Sequence, residues 1–232
     1  MIEKIPKKLE VTHLTGELGE IILLSLQVSG AALLISAVIG IPIGAYLGLN
    51  HFYGRRLLIA LLYTGMGFPP VVIGLFVYLM LSRSGPLGKL HLPFIPALFT
   101  PEAMVVAQTI IAFPIIAGFT MAAVMSVDPH LRQQVMALGA TKQQAALAVL
   151  LEARVGVVVS IIAGFGGIIS EVGAVMLVGG NIQGRTRVLT TAIVLETNKG
   201  NFSMALALGI ILIGIAFVTN FFVLRLQGRT FE

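Results

Sequence analysis

Residues 127–156 read VDPHLRQQVMALGATKQQAALAVLLEARVG, a long polar interruption between hydrophobic runs. Asp128 offers a carboxylate to an orphan N–H at a helix start. Pro129 suits the first helical position, where its missing donor is not needed. Leu131, Val135 and Leu138 then fall on one face, which predicts a short helix. Gly139 supplies the left-handed residue that ends it. Thr141 followed by Gln144 forms a capping box that restarts the chain as a second helix. The segment predicts a helix–turn–helix at a membrane surface, because the chain on both sides of it is apolar.

Composition sets the class. The chain is 57% hydrophobic and 11% charged, with a mean hydropathy of +0.99; soluble domains sit at roughly 45–50% apolar and 25% charged. A net charge of +5 would suggest nucleic acid in a soluble protein. Here the basic residues flank apolar runs, as membrane anchors do, and nucleic acid is discounted. Without cysteine there are no disulfides or thiolate metal sites.

The expected fold class is all-α, a polytopic membrane protein of about five helices. Residues 1–20 form a polar, extended or interfacial lead-in, and 21–232 form one transmembrane domain. Its spans are placed at 21–49, 57–81, 103–127, 155–180 and 202–224, with the polar loop at 128–154. The first run is too long for a signal-peptide core and reads as a retained helix. Pro42 and Gly44 predict a kink near its end. The second contains Thr64-Gly65-Met66-Gly67-Phe68-Pro69-Pro70, where two prolines remove two backbone donors. Such a break is tolerated only against protein or a water-lined cavity. It reads either as a discontinuous helix whose second half, starting at Pro69, points its positive end at an anion, or as a structural kink. In the fourth span Gly156, Ser160 and Gly164 form a small-residue seam for close helix packing. Gly164-Phe165-Gly166-Gly167 then loosens the helix before Ser170-Glu171-Val172-Gly173.

Glu171 is the one formal charge inside these spans. A carboxylate at membrane depth is costly, so it marks a candidate site. It reads as part of a gate or proton relay, or as a carboxylate tied to backbone N–H groups or an arginine; the second reading is favoured, since a bare carboxylate would repel a passing anion. His13, His51, His91 and His130 are scattered outside the spans and read as surface histidines. No metal-binding His pair, nucleophile elbow or phosphate-cradling Gly-x-x-x-x-Gly-Lys-Ser/Thr stretch occurs. The chain therefore has no ATP site of the usual kind.

The polar loop resembles the cytoplasmic loop of permease subunits of ATP-binding-cassette importers. That family's Glu-Ala-Ala, Gly and apolar-x-Leu-Pro pattern falls on Gln133-Gln134-Val135, Gly139-Ala140-Thr141 and Val149-Leu150-Leu151-Glu152. Gln133, Val135 and Glu152 depart from it. From about Ile21 onward the chain is similar to the molybdate and tungstate branch. This likeness rests on Phe68-Pro69-Pro70-Val71-Val72-Ile73-Gly74, Gly179-Gly180-Asn181-Ile182 and Gly184-x-Thr186-Arg187. Ser170 to Gly173 and Leu195 to Gly200 look more like tungstate permeases.

The resemblance implies the type I importer permease fold in the cytoplasmic membrane, working by alternating access as a homodimer. It implies a separate ATPase, which binds the ATP and Mg, and an extracytoplasmic oxyanion-binding protein. Gln133, Ala137, Leu138, Gly139, Ala140 and Thr141 become the coupling contacts to the ATPase. Thr64, Pro69, Pro70, Ser170, Glu171 and Gly173 are candidates for the path or gate.

With the loop cytoplasmic, Arg55, Arg56, Arg132, Lys142, Arg154, Arg225 and Arg229 lie inside. Lys4, Lys7, Lys8, Arg83, Lys89, Arg185, Arg187 and Lys199 lie outside, so basic residues do not orient the chain and the resemblance does. At the outer mouth Arg185 and Arg187, with Lys199, would concentrate a dianion or meet the binding protein. The alternatives are a molybdate or sulfate permease of the same family, or a stand-alone secondary transporter or membrane enzyme using Glu171. Inverted repeats would favour a secondary transporter, and none is visible.

Overall fold

In hydrocarbon the backbone must satisfy its own polar groups, and this chain does so with helices. The computed structural model describes residues 7–90 and 92–226, with side chains described from residue 16 to 225 of these. The expectations placed on Lys4, Lys7, Lys8, His13, His91 and Arg229 fall outside those side chains. The helices are α1 (Lys7–Leu49), α2 (Arg55–Met66), α3 (Pro70–Leu81), α4 (Pro101–Met125), α5 (Pro129–Ala137), α6 (Lys142–Glu152), α7 (Arg154–Ile169), α8 (Gly173–Gly179), α9 (Leu189–Asn198) and α10 (Phe202–Leu226). Among the described residues 3 stretches are long and apolar enough to cross a membrane: Gly16–Leu49, Pro101–Met125 and Phe202–Arg225. The number rises to 5 if each of two bent pairs counts, α2 with α3 at 102° and α6 with α7 at 66°.

One expectation needs correction. Residues 7–20 are not an extended lead-in but continue α1, because Gly16 and Gly19 stand alone and no proline interrupts them. Pro42 lies inside α1, which is assigned as one helix through it, and Gly44 serves packing. The loosening expected in the fourth span before Ser170 to Gly173 is a break there: α7 stops at Ile169 and α8 restarts at Gly173.

The core is built around α4. Gly40, Gly44 and Gly48 of α1 lie along Ala117, Thr120 and Val124, so the two helices run parallel; a Cβ on Gly44 would overlap the Ala117 carbonyl. On another side α7 runs antiparallel. Gly156 faces Ala123, Gly164 faces Ile116, and between them the hydroxyls of Ser160 and Thr120 are 3.1 Å apart. The small-residue seam expected in α7 therefore packs on α4, and α1 carries a second seam. Close backbone approach through small residues is how apolar helices associate without a hydrophobic drive between them. α10 is the opposite case. Only 6% of its most apolar window is buried, against 56% for α4, and Leu206, Ile210, Ile213 and Phe217 face outward.

Candidate functional site

The hairpin end of the bundle folds as its local chemistry dictates. Asp128 Oδ1 accepts from the His130 N–H at 2.8 Å. Gly139 has φ +93°. The capping box closes both ways: Thr141 N donates to Gln144 Oε1 at 2.8 Å, and Gln144 N donates to Thr141 Oγ1 at 3.3 Å. Gln133, Ala137, Leu138, Gly139 and Thr141 are exposed and Ala140 is half-buried; residues 137–141 form the turn end of the hairpin and Gln133 lies in the middle of α5. Leu138 departs from expectation. It is 89% exposed although its N–H still bonds the Gln134 carbonyl at 3.1 Å in the helical pattern: in register with Leu131, it lies at the hairpin tip with little to pack on.

What holds the hairpin to the bundle was not visible in the sequence. Arg132 Nη1 donates to the Leu49 carbonyl at 2.7 Å, and Arg55 Nε donates to the Leu47 carbonyl at 2.7 Å. These two residues read as charged flanks, yet they cap the orphan carbonyls of α1, whose own last turn has no basic residue. That missing cap was the available signal. Leu131, Val149, Leu150 and Ala153 pack beside Ala45, Leu49 and Val124, completing the joint.

Two helix breaks meet, with Pro69 and Ser170 exposed at them. Pro69 sits at the cap of α3 with extended backbone and Pro70 at its first turn, so the stretch is a discontinuous helix rather than a mild kink. α3 and α8 lie side by side. A Cβ on Gly173 would overlap Val71, and one on Gly74 would stand 2.5 Å from Ala174 Cα. The starts of both helices, Pro69, Pro70 and Gly173, are thus brought together. Thr64 and Ser170 are exposed but turn their hydroxyls back, Thr64 Oγ1 to the Ala60 carbonyl at 2.7 Å and Ser170 Oγ to the Gly166 carbonyl at 2.8 Å.

Glu171 is half-buried, and its Oε1 accepts from the Ala174 N–H at 2.9 Å, capping α8. Its own carbonyl accepts from Thr190 Oγ1 at 2.9 Å. Gln108 Nε2 donates to the Ile168 carbonyl at 3.0 Å on the other side of the break. Across from it, Ser25 Oγ accepts from Leu189 N at 2.9 Å and anchors the start of α9. The carboxylate thus bonds a backbone N–H three residues on in its own segment. Ser170 and Glu171 engage separate main-chain partners and form no nucleophile–base pair. Gln108, Thr190 and Ser25 were the missed partners; polar residues inside apolar runs were their only sequence signal.

At the end away from the hairpin, the expected cationic rim is mostly neutralised. Arg187 Nη1 lies 3.1 Å from Glu17 Oε1, with 15% of its side chain exposed, and Lys199 Nζ lies 2.7 Å from Glu196 Oε1. Asn201 Nδ2 adds a bond to Glu196 Oε2 at 3.0 Å. The hydrogen bond from Lys199, with smaller help from Asn201, holds the Glu196 carboxyl below its ordinary value. Arg185 remains exposed. Of the three cations expected at the mouth, Arg187 and Lys199 thus face carboxylates. Among the described residues no group of His, Cys, Asp and Glu side chains is placed to hold a metal ion, and His51 and His130 are exposed.

The bundle, with its broken helices and projecting hairpin, has the fold of type I ABC importer permeases. Two solved structures share the fold. One is of the MetNI methionine ABC transporter in inward-facing conformations, with a TM-score of 0.70 at 19% identity, covering 93% of this chain and 98% of that one. The other is of a bacterial alginate ABC transporter in complex with an alginate pentasaccharide-bound periplasmic protein, with a TM-score of 0.71 at 25% identity, covering 90% of this chain and 78% of that one. Residues 40–232 match the binding-protein-dependent transport system inner membrane component family, and the chain belongs to it. Its relatives include a probable anion ABC transporter permease of Haloferax volcanii, 46% identical over 89% of each chain. A tungstate uptake system permease, TupB, of Peptoclostridium acidaminophilum is 40% identical over 89% of each. The molybdenum transport permease ModB of Escherichia coli K12 is 31% identical over 89% of this chain and 92% of its own.

Proposed function

We propose that this chain is the permease of an ATP-driven oxyanion importer, with tungstate as its cargo, working as a homodimer in the cytoplasmic membrane. The observation that carries the reading is the hairpin: a fully capped helix–turn–helix that leaves Leu138 89% exposed at its tip and is clamped by Arg132 to the end of α1. An exposed leucine on a polar loop fits a partner protein, and the ATPase subunit is the partner this family requires. Tungstate as cargo draws support from the TupB relatives and from the wording of residues 170–173 and 195–200.

ATP binding closes the ATPase dimer. Its force enters through Gln133 and Ala137 to Thr141 and passes through Arg132 to α1, which the glycine seam locks to α4. The two helix breaks at Pro69–Pro70 and 170–172 lie where α3 and α8 can shift without breaking regular hydrogen bonds, so the gate is assigned there. Glu171 holds the start of α8 and does not itself meet the anion. An extracytoplasmic binding protein delivers the cargo at the mouth near Arg185. Uptake of tungstate into proteoliposomes holding the chain and its ATPase tests this. Loss of uptake in Leu138→Asp, with the purified chain still folded and the ATPase no longer co-purifying, is the expected result. A variant that transports normally would remove the hairpin from the coupling path.

A further inference from the structure

A helix that stops within an apolar bundle leaves carbonyls that lipid cannot satisfy, so side chains must reach them. At the break between α7 and α8, two do so from other helices. Gln108 of α4 donates through Nε2 to the Ile168 carbonyl at 3.0 Å, and Thr190 of α9 donates through Oγ1 to the Glu171 carbonyl at 2.9 Å. The two carbonyls flank Ser170, and both donors are buried, at 3% and 5% exposed. Each donor leads back to the packed core. Gln108 stands on α4, and Thr190 follows Leu189, whose N–H donates at 2.9 Å to Ser25 Oγ of α1. Ser25 is itself fixed, donating to the Ile21 carbonyl at 2.7 Å. The break is thus fastened to α1 and α4 at two points. The Pro69–Pro70 break is not: among the described residues its hydrogen bonds are local, such as Gly67 N to the Thr64 carbonyl at 3.1 Å and Val72 N to the Pro69 carbonyl at 2.9 Å.

Gln108 is not required to satisfy its acceptor. The Ile168 carbonyl already accepts from the Glu171 N–H at 3.2 Å. The other end of the amide, Oε1, is buried without a partner, a cost that a leucine of similar size would avoid. That oxygen is sealed from solvent, so no ligand reaches it. The void bounded by Ser25, Ser29, Gln108, Ile169 and Thr190 holds about 10 Å³, room for a single water at most. Solvent therefore has little space to replace a donor that lets go. A buried polar group that costs stability, and whose acceptor has a donor without it, fits a device that selects one of two arrangements.

We infer that Gln108 and Thr190 are positioning residues of the gate: they pin residues 168–171 to the core in the arrangement seen here, and α8 shifts only when they let go. The inference rests on the gate proposed at 170–172 and adds what holds it. Both side chains are buried and act through the backbone, without meeting the anion. Bonds of this strength bias an equilibrium without freezing it, each changing the released fraction by about threefold to tenfold.

Amide hydrogen exchange of the full chain in detergent reads the release, since exchange at residues 171–176 tracks the open fraction of the break. Gln108→Leu and Thr190→Val should each speed it about threefold to tenfold, with exchange in α10 unchanged. Thr190→Ser keeps the hydroxyl and should exchange as the parent chain does. The melting midpoint of Gln108→Leu should not fall, which separates positioning from support of the fold. The second readout is ATP hydrolysis in liposomes with the ATPase, using whichever of the tungstate-, molybdate- or sulfate-loaded binding proteins stimulates the parent chain. The ratio of hydrolysis with loaded binding protein to hydrolysis without it should drop about threefold in Gln108→Leu and Thr190→Val, and return in Thr190→Ser. Unchanged exchange in both variants overturns the tethers, whatever the chain transports. Faster exchange with an unchanged ratio overturns their part in the gate. A parent chain that no loaded form stimulates is a different failure: it removes the proposed function, and this role with it, before any variant is compared.

Discussion

A Cβ on Gly44 would overlap the Ala117 carbonyl, whereas one on Gly30 would meet nothing within 4 Å. Gly44→Val should therefore part α1 from α4 at a cost of about 1–3 kcal/mol, read as a lower melting midpoint in detergent. Gly30→Ala should be neutral or slightly stabilising by the same measurement. Glu171 invites a finer test. Glu171→Ala removes the acceptor for the Ala174 N–H and should cost about 1 kcal/mol, as loss of a helix cap does. Glu171→Gln keeps an acceptor and should restore both stability and transport. A proton relay predicts the opposite pattern, with Gln as damaging as Ala. Glu196 makes the pH prediction. Its folded pKa lies below its ordinary 4.5, so its contribution is fully present above that value and is lost as pH falls through the lowered one. A melting series should therefore lose this increment only in the acid range, and Glu196→Gln should flatten that slope.

At the scale of elements, the hairpin's mechanical joint is the part most open to challenge. Arg132→Met removes a charged donor from the Leu49 carbonyl while leaving the exposed tip unchanged. The ATPase should still bind, but its hydrolysis should no longer respond to loaded binding protein. Equal coupling in the variant would show that force enters the bundle elsewhere. The hairpin itself was legible because Asp128, Gly139, Thr141 and Gln144 act on neighbours a few residues away, and such chemistry is written locally. The Pro69–Pro70 break was legible for the same reason. Arg132 on Leu49, Gln108 on Ile168 and Glu17 on Arg187 were not, since each joins residues far apart in sequence. Gly44, beside Pro42, was read as part of a kink; only the position of α4 shows Gly40, Gly44 and Gly48 to be a packing seam. The break between α7 and α8 was legible in Gly164 to Gly167, which loosen the helix ahead of Ser170 to Gly173.

Across the whole molecule, α3 and α8, where the gate is proposed, pack into the same buried core as α1 and α4. α1, α4 and α7 are locked by small residues on both faces of α4 and tied to the hairpin, while α3 and α8 lie together and start at helix breaks. Alternating access needs both: a rigid part to carry force and a segment whose hydrogen bonds are already interrupted. α10, outward and apolar along Leu206, Ile210, Ile213 and Phe217, is left to lipid or to a second copy. The account stands on the importer reading, and the most direct test of it is ATP hydrolysis in liposomes containing this chain and its partner ATPase. Binding protein loaded with tungstate, molybdate or sulfate is added in turn. The account predicts stimulation by the tungstate-loaded form above the empty one. Stimulation by molybdate or sulfate alone would keep the importer and change its cargo. No stimulation by any form, with no stable complex between chain and ATPase, would contradict the central claim.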